Sequence, residues 1–332
     1  MHKKLFLCLI GLLCFIGIAI AASITSSPDI YLQQTLSYEN ETFETFQELP
    51  PEVIKNLPPD INAQVAYFIR YYTTSGKKGL QKWFDRCGPY FPYFKAIFKE
   101  FGIPEDLIYL AVIESGCSPF AVSHAGAVGI WQFIRGTARK YGLKINYWVD
   151  ERKDFIKSTY AAARYLKRLY EIFGDWREAV ASYNLGEAKL MRILRARNFV
   201  DYWQLMRTRR LPLETIAYLP QWMAVTLIAK NPRRYGFKPI KEKPFNFETI
   251  EVNGGVDLRV FAIAGNIDYK LLLTLNAELR RRITPPGRTY LLRIPYGKKQ
   301  EILKNLQRLR LIIIKRRFHR KIYRITTALV EY

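Results

Sequence analysis

A glutamate at position 114 stands where an apolar stretch stops and a loop of small residues begins, ESGCSPFAVSHAGAVGIWQF over 114–133. Upstream of it, Leu107, Leu110, Ala111 and Glu114 fall at i, i+3, i+4 and i+7, one face of a helix. The carboxylate therefore shares a buried stripe and sits at the C-terminal end of that helix, where the macrodipole disfavours negative charge. Partial desolvation and the helix end both raise the pKa of such a group, which a general acid working near neutral pH requires. A plainer role is open to it as well, capping a core helix by pairing with a buried cation. The residues that follow weigh against that. Gly126, Gly129 and small alanines let a ligand approach the backbone closely, Trp131 offers an aromatic wall, and Gln132 an amide that could orient a carboxyl or acetamido group. Ser182-Tyr183-Asn184, just before Leu185-Gly186, is a second polar group at the end of an apolar helix.

Several helices must position these groups. Pro104 suits a helix start, with Glu105 and Asp106 complementing its dipole, and Ser115-Gly116 ends that helix. Helical periodicity persists from 61 to 235, with stripes such as Val65, Phe68, Ile69 and Tyr72, and breaks at Gly102-Ile103-Pro104 and Gly174-Asp175. These residues predict an all-α domain over 61–235, preceded by a Ser-, Thr-, Glu- and Pro-rich linker over 23–60. Beyond Lys238-Pro239 the pattern changes. Strands at 247–252 and 290–294 bracket short helices at 257–264 and 268–275, giving a small α+β module of βααβ order over 245–298. A tail over 299–332 follows, without an acidic residue from Lys304 to Arg324, and reads as a solvated basic helix or an unstructured arm.

The chain of 332 residues is 49% hydrophobic, which excludes a mostly disordered protein, and its net charge of +23 calls for an anionic partner. Lys3 and Lys4 precede an uncharged apolar run over 5–22 that ends in small residues, the form of a signal peptide or an uncleaved signal anchor. Export to the periplasm or cell envelope opposes a nucleic-acid partner and leaves envelope polymers as the anionic partner, with the basic tail as a contact to an anionic envelope surface. Two cysteines remain outside that segment, Cys87 and Cys117. If the helices between them form an antiparallel hairpin through Gly102, their outer ends meet, and an oxidising compartment could join the two; a pair of buried free thiols is the alternative. His2, His124 and His319 lack ligand spacing, and there is no phosphate-binding glycine motif, so neither a metal nor a cofactor is expected.

Glu114-Ser115, Gly129-Ile130-Trp131-Gln132 and Ser182-Tyr183-Asn184, in that order, resemble the successive motifs of family 1 lytic transglycosylases (glycoside hydrolase family 23), usually ES, GLMQ and AYN. The chain departs at Ile130-Trp131 and Ser182. The tryptophan before the glutamine, together with Asp150-Glu151-Arg152 and Glu214-Thr215 with Tyr218, is similar to the membrane-bound type D branch. The resemblance spans about residues 80–230. It implies a lysozyme-like helical fold that cleaves the β-1,4 bond between N-acetylmuramic acid and N-acetylglucosamine in peptidoglycan glycan strands. Glu114 would protonate the glycosidic oxygen and then act as base on the muramyl 6-hydroxyl, closing a 1,6-anhydro ring; Ser115, Ser123, Gln132, Tyr183, Asn184 and Tyr218 would line the sugar sites. Retaining and inverting glycosidases need two carboxylates, and none lies between Ser115 and Val149, although Asp150 and Glu151 follow directly. A hydrolytic muramidase and a non-catalytic wall-binding protein are the alternatives. In the C-terminal module, Asp257-Leu258, Ile267-Asp268, Leu275-Asn276 and Leu292-Arg293-Ile294-Pro295 resemble one degenerate LysM repeat, a peptidoglycan-binding unit.

Overall fold

Aromatic and aliphatic side chains at helical spacing build the first wall of the molecule. The computed structural model describes residues 59–195, 205–206 and 210–317; the signal or anchor segment, almost all of the linker and the tail from 318 onward lie outside these. Helices α1 (Pro59–Thr73), α2 (Lys77–Cys87) and α3 (Phe91–Glu100) bury Val65, Tyr72, Leu80, Phe84, Phe91, Phe94 and Phe98 in one core. Gly102 turns the chain with φ 65. The helix expected from Pro104 is then divided: Glu105–Tyr109 is 3-10, and only Leu110–Ser115 (α4) is α-helical. A tight first turn of this kind is common at helix N-termini. The stripe survives it, since Leu107, Leu110 and Ala111 are buried while Glu114 at the end is partly exposed.

A short helix, α5 (Arg135–Lys140), leads to α6 (Phe155–Phe173), whose N-terminus is capped by the Asp154 carboxylate accepting from the amides of Ile156 and Lys157. Gly174 in the left-handed conformation ends α6, and Asp175 caps α7 (Trp176–Leu185), which α8 (Glu187–Arg195) follows. Helix α9 (Leu213–Lys230) is apolar nearly all round, as a helix enclosed by others must be, and lies against α1, α4 and α7.

The C-terminal part has the expected βααβ order. Strands β1 (Phe247–Asn253) and β2 (Thr289–Pro295) pair antiparallel from Phe247–Pro295 to Asn253–Thr289, and α10 (Leu258–Ala264) and α11 (Tyr269–Leu275) cover one face. Gly254 is required where β1 turns out of the sheet, because a Cβ there would stand 1.8 Å from the carbonyl oxygen of Pro285. The boundary drawn at 298 needs correction. Helix α12 (Lys299–Arg317) begins at the supposed tail, yet Ile302 is fully buried in the module core, Leu306 packs on it, and Asn305 donates to the Ala264 carbonyl at 2.8 Å. Those apolar residues, four apart within a basic run, make the first turns of α12 part of the module.

The module is docked on the helical domain, with polar groups at the seam. Val149 bridges to Leu279, the Asp150 amide donates to the Glu278 carbonyl (2.9 Å), and the Arg280 amide to the Trp148 carbonyl (2.9 Å). Arg293 pairs with Asp154 at 2.8 Å, donates to the Leu275 carbonyl and lies over the rings of Phe155 and Phe247. Buried Glu278 accepts from Tyr290 at 2.6 Å. Two carboxylates thus share one guanidinium, and burial, with the Asp154 charge behind it, pushes Glu278 up from 4.5 to about 7 against the opposing pull of Arg293 and Tyr290.

Because this value is raised in the folded state, the stability tied to protonated Glu278 is full in acid and lost as pH rises through about 7. Urea unfolding at several pH values should therefore show Glu278→Gln gaining on the parent as pH increases from about 5 to about 8.5. Parallel pH curves for the two proteins would remove Glu278 from this role.

Candidate active site

The end of α4 is fixed from three directions. Gly116 and Cys117 both adopt left-handed backbone angles (φ 55 and 56), which turns the chain sharply after Glu114. Cys117 is joined by a disulfide to Cys87 at the end of α2. Arg86, the preceding residue, donates to the carbonyls of Ser115 (3.1 Å) and Gly116, satisfying acceptors that a helix end leaves open. A side chain at Gly116 would collide with Arg86 and Trp83, at 2.4 and 2.5 Å from its Cβ. The buried Ser115 hydroxyl donates to the Ile130 carbonyl (2.8 Å) and accepts from the Ser118 amide.

The Glu114 carboxyl meets α9. Tyr218 donates to its Oε1 at 2.5 Å, and one turn earlier the exposed Glu214 brings a second negative charge near. Burial raises the Glu114 pKa most, Tyr218 lowers it and Glu214 raises it, with the result pushed from 4.5 to about 7. Such a group is a carboxylic acid for much of the neutral range and can still give its proton up. Tyr183 lies close enough to feel Glu114, and its phenol is driven well above 10, first by burial and then by that charge. It stays protonated and donates to the Trp131 carbonyl at 2.8 Å. Thr215 donates to the Asn184 Oδ1 at 2.9 Å, so the ends of α4, α7 and α9 converge on one place.

The loop over 121–133 is tied to these groups by its Ile130 and Trp131 carbonyls, which accept from Ser115 and Tyr183. Val122 bridges Val128, Val128 bridges Phe133, and the Ser123 hydroxyl accepts from the Ala127 amide (3.0 Å). Gln132 takes a positive φ of 48, and its amide donates to the Gly129 carbonyl (2.7 Å). Trp131 requires a correction, for it is not an aromatic wall. Its ring is fully buried on Phe94 and Phe98, with its N–H donating to Thr159 at 2.9 Å. Gly129 leaves no room for a Cβ, which would stand 2.0 Å from the Arg152 carbonyl. Arg152 in turn donates to the carbonyls of Gly126 and Phe133, both at 3.0 Å, and forms a buried two-bonded pair with Asp150. Buried Glu151 accepts from the Lys144 amide and pairs with Lys157. The first two acids after the motif loop are thus committed to the scaffold, and the carboxylate that acts on Glu114 is Glu214. Trp176 stacks on Tyr170 (4.2 Å), whereas Tyr147 is exposed.

Arg86 and Arg152 are the residues that sequence reading missed. The one available signal for Arg86 was its place beside Cys87, and for Arg152 its place within Asp150-Glu151-Arg152. Among the described residues no group of three or more His, Cys, Asp and Glu could hold a metal ion.

Residues 92–206 match the transglycosylase SLT domain, and residues 246–311 match the LysM-like domain of lytic transglycosylase MltD. The second match runs into α12, as does the module core. The chain is 34% identical over 201 residues to the membrane-bound lytic murein transglycosylase D of Escherichia coli (strain K12), and equally so to that of Escherichia coli O6:H1 (strain CFT073). That similarity covers 59% of this chain and 44% of the relative, so the chain spans less than half the length of these relatives. A protein of Alteromonas sp. (strain M-1) named for tributyltin chloride resistance is 36% identical over 110 residues, 33% of this chain and 53% of its own.

The charges around Glu114 make opposite predictions for two substitutions. Tyr218→Phe removes a bond to the ionised form and should move the Glu114 pKa above about 7; Glu214→Gln removes a like charge and should move it down. Carbon-detected NMR titration of the Glu114 carboxyl reads both shifts. No displacement in either variant would dismantle the electrostatic description.

Proposed function

We propose that this chain, which combines a transglycosylase SLT domain with an MltD-type LysM-like domain, is a peptidoglycan lytic transglycosylase. The observation that carries the reading is a Glu114 carboxyl held at a pKa of about 7, facing tyrosine rather than a cation. Protonated Glu114 gives its proton to the oxygen of the β-1,4 bond between N-acetylmuramic acid and N-acetylglucosamine, and the bond from that oxygen to the muramyl C1 breaks. The carboxylate left behind withdraws the proton of the 6-hydroxyl on the same muramyl residue. That oxygen attacks C1 and closes a 1,6-anhydro ring, so no water is consumed and Glu114 ends as it began. Tyr218 lowers the cost of the ionised stage by donating to Oε1, and its phenol keeps its proton throughout.

Tyr183, Asn184 and Gln132 border this place and are assigned to sugar contacts; Ser115 and Ser123 support the turn and the loop that shape it. The name of the Escherichia coli relatives carries the word membrane-bound. Together with the apolar run over 5–22, it supports placing the chain in the cell envelope, where wall glycan is the anionic partner and the basic residues beyond 308 add attraction to the surface. Neither a cofactor nor a nucleic acid enters this reading.

Glu214 favours a second reading. An exposed carboxylate near the acid is what a hydrolase uses to activate water, which would make the enzyme a muramidase.

Mass spectrometry of fragments released from purified sacculi separates the two. Anhydromuramyl ends are expected; reducing muramic acid ends would replace the transglycosylase with the hydrolase. Glu114→Gln keeps the shape without a transferable proton and should lower turnover by at least about a hundredfold. Activity within tenfold of the parent would take Glu114 out of the mechanism.

A further inference from the structure

Three successive arginines, Arg280, Arg281 and Arg282, leave α11 at the seam between module and helical domain, and all three are exposed. Their backbone is held on both sides of that seam. The Arg280 amide donates to Trp148 (2.9 Å), the Arg282 amide to Leu279 (3.0 Å), and the Arg282 carbonyl accepts from the Leu258 amide (2.9 Å). The Arg280 guanidinium is tied to the Asn146 carbonyl at 2.7 Å. The Arg281 guanidinium lies 4.2 Å from the centre of the Tyr147 ring, itself 58% exposed and braced edge-on by Trp148.

Cations outnumber carboxylates here. Asp257 pairs with Arg259 at 2.7 Å and feels Arg282 only as a weaker, more distant charge, and Glu278 is buried against Tyr290. Lys153 adds a further cation close to Arg280. Arg282 also holds a left-handed φ of 59, a conformation that favours glycine, so a large cation is kept at a strained position. A guanidinium over an aromatic ring keeps N–H donors free for a planar fork that matches a carboxylate.

We infer that the Arg280–Arg282 loop and Tyr147 form a platform for the free carboxylates of peptide stems on the wall strand that the site acts on. The inference rests on the proposed wall substrate. It adds that the strand is gripped by its peptides as well as its sugars. The platform is joined to the helical domain beside Arg152, through the Val149–Leu279 bridge and the Asp150 and Arg280 amides, and Arg152 holds the loop that follows Glu114 through the Gly126 and Phe133 carbonyls.

Binding is measured on the full chain carrying Glu114→Gln, so that no substrate is consumed. The probes are soluble glycan strands with free stem carboxylates, the same strands after amidation, and phosphatidylglycerol vesicles. Replacing all three arginines by Gln should weaken binding to the free-carboxylate strands about tenfold at low salt and leave amidated strands within about twofold. The difference should shrink at about 0.5 M salt. Tyr147→Ala, which removes the ring but no charge, should cost about threefold on the same strands. If the triple variant does not fold, Arg281→Gln and Tyr147→Ala carry the test. Unchanged binding, equal loss on both kinds of strand, or arginine dependence seen only with vesicles would each overturn the inference. If the arginines grip stems in that variant while the parent chain, with Glu114 intact, releases no fragments from sacculi, the enzyme is refuted and the platform stands.

Discussion

A carboxylic acid has to be kept uncharged and partly dry at the end of a helix, and much of this molecule is arranged around that requirement. Glu114 gains nothing from its own helix, whose C-terminal carbonyls oppose its ionisation. Among the described residues its hydrogen-bond donor comes from α9, more than a hundred residues along the chain. The acid therefore exists as a tuned group only while α4 and α9 stay in register. Burial raises the pKa and the Tyr218 hydroxyl draws it back, so a small change in their separation would alter both at once. Apolar α9, enclosed by α1, α4 and α7, supplies the rigidity for this.

Buried arginines act as struts in the same scheme. Arg152 joins Asp150 to the loop that follows Glu114, and Arg293 joins the module to the cap of α6 through Asp154. A buried ion pair is poor evidence for stability, because desolvation offsets most of the attraction, but it penalises every arrangement in which one partner is left alone. Asp154 shows the coupling: one oxygen caps the longest helix of the catalytic candidate while the other holds Arg293 of β2. The module is thereby fastened by groups that also order the helical domain, and Glu278 introduces a proton-dependent weakness into that joint.

What the sequence disclosed was local. Glu114 at the end of its stripe, the helix stop at Ser115-Gly116 and the short strands and helices of the module are all signalled within a few residues of where they act. What stayed hidden depends on distant partners. Trp131 sits inside a motif beside a polar residue, and nothing local says that its ring turns inward onto Phe94 and Phe98. Arg86 gains its role only through the fold that brings α2 to the end of α4. Ile302 was masked by the charges around it, since a basic run reads as solvated until a core is found to receive its apolar residues.

The disulfide ties these levels together. Cys117 stands three positions after Glu114, inside the left-handed turn, and its partner ends the helix that also supplies Arg86. Closing a loop of this length removes conformational freedom from the unfolded chain worth about 3–4 kcal/mol in the chain-entropy description. It does more at this place, because a left-handed Cys117 is a conformation that the free chain avoids and the cross-link helps to hold. Such bonds persist in oxidising compartments and are rare in the cytosol. A chain folded under reducing conditions would lack the bond and would hold the turn by Arg86 and Ser115, with the acid less firmly placed. The compartment in which the protein matures and the geometry of its proposed acid are therefore linked by one covalent bond.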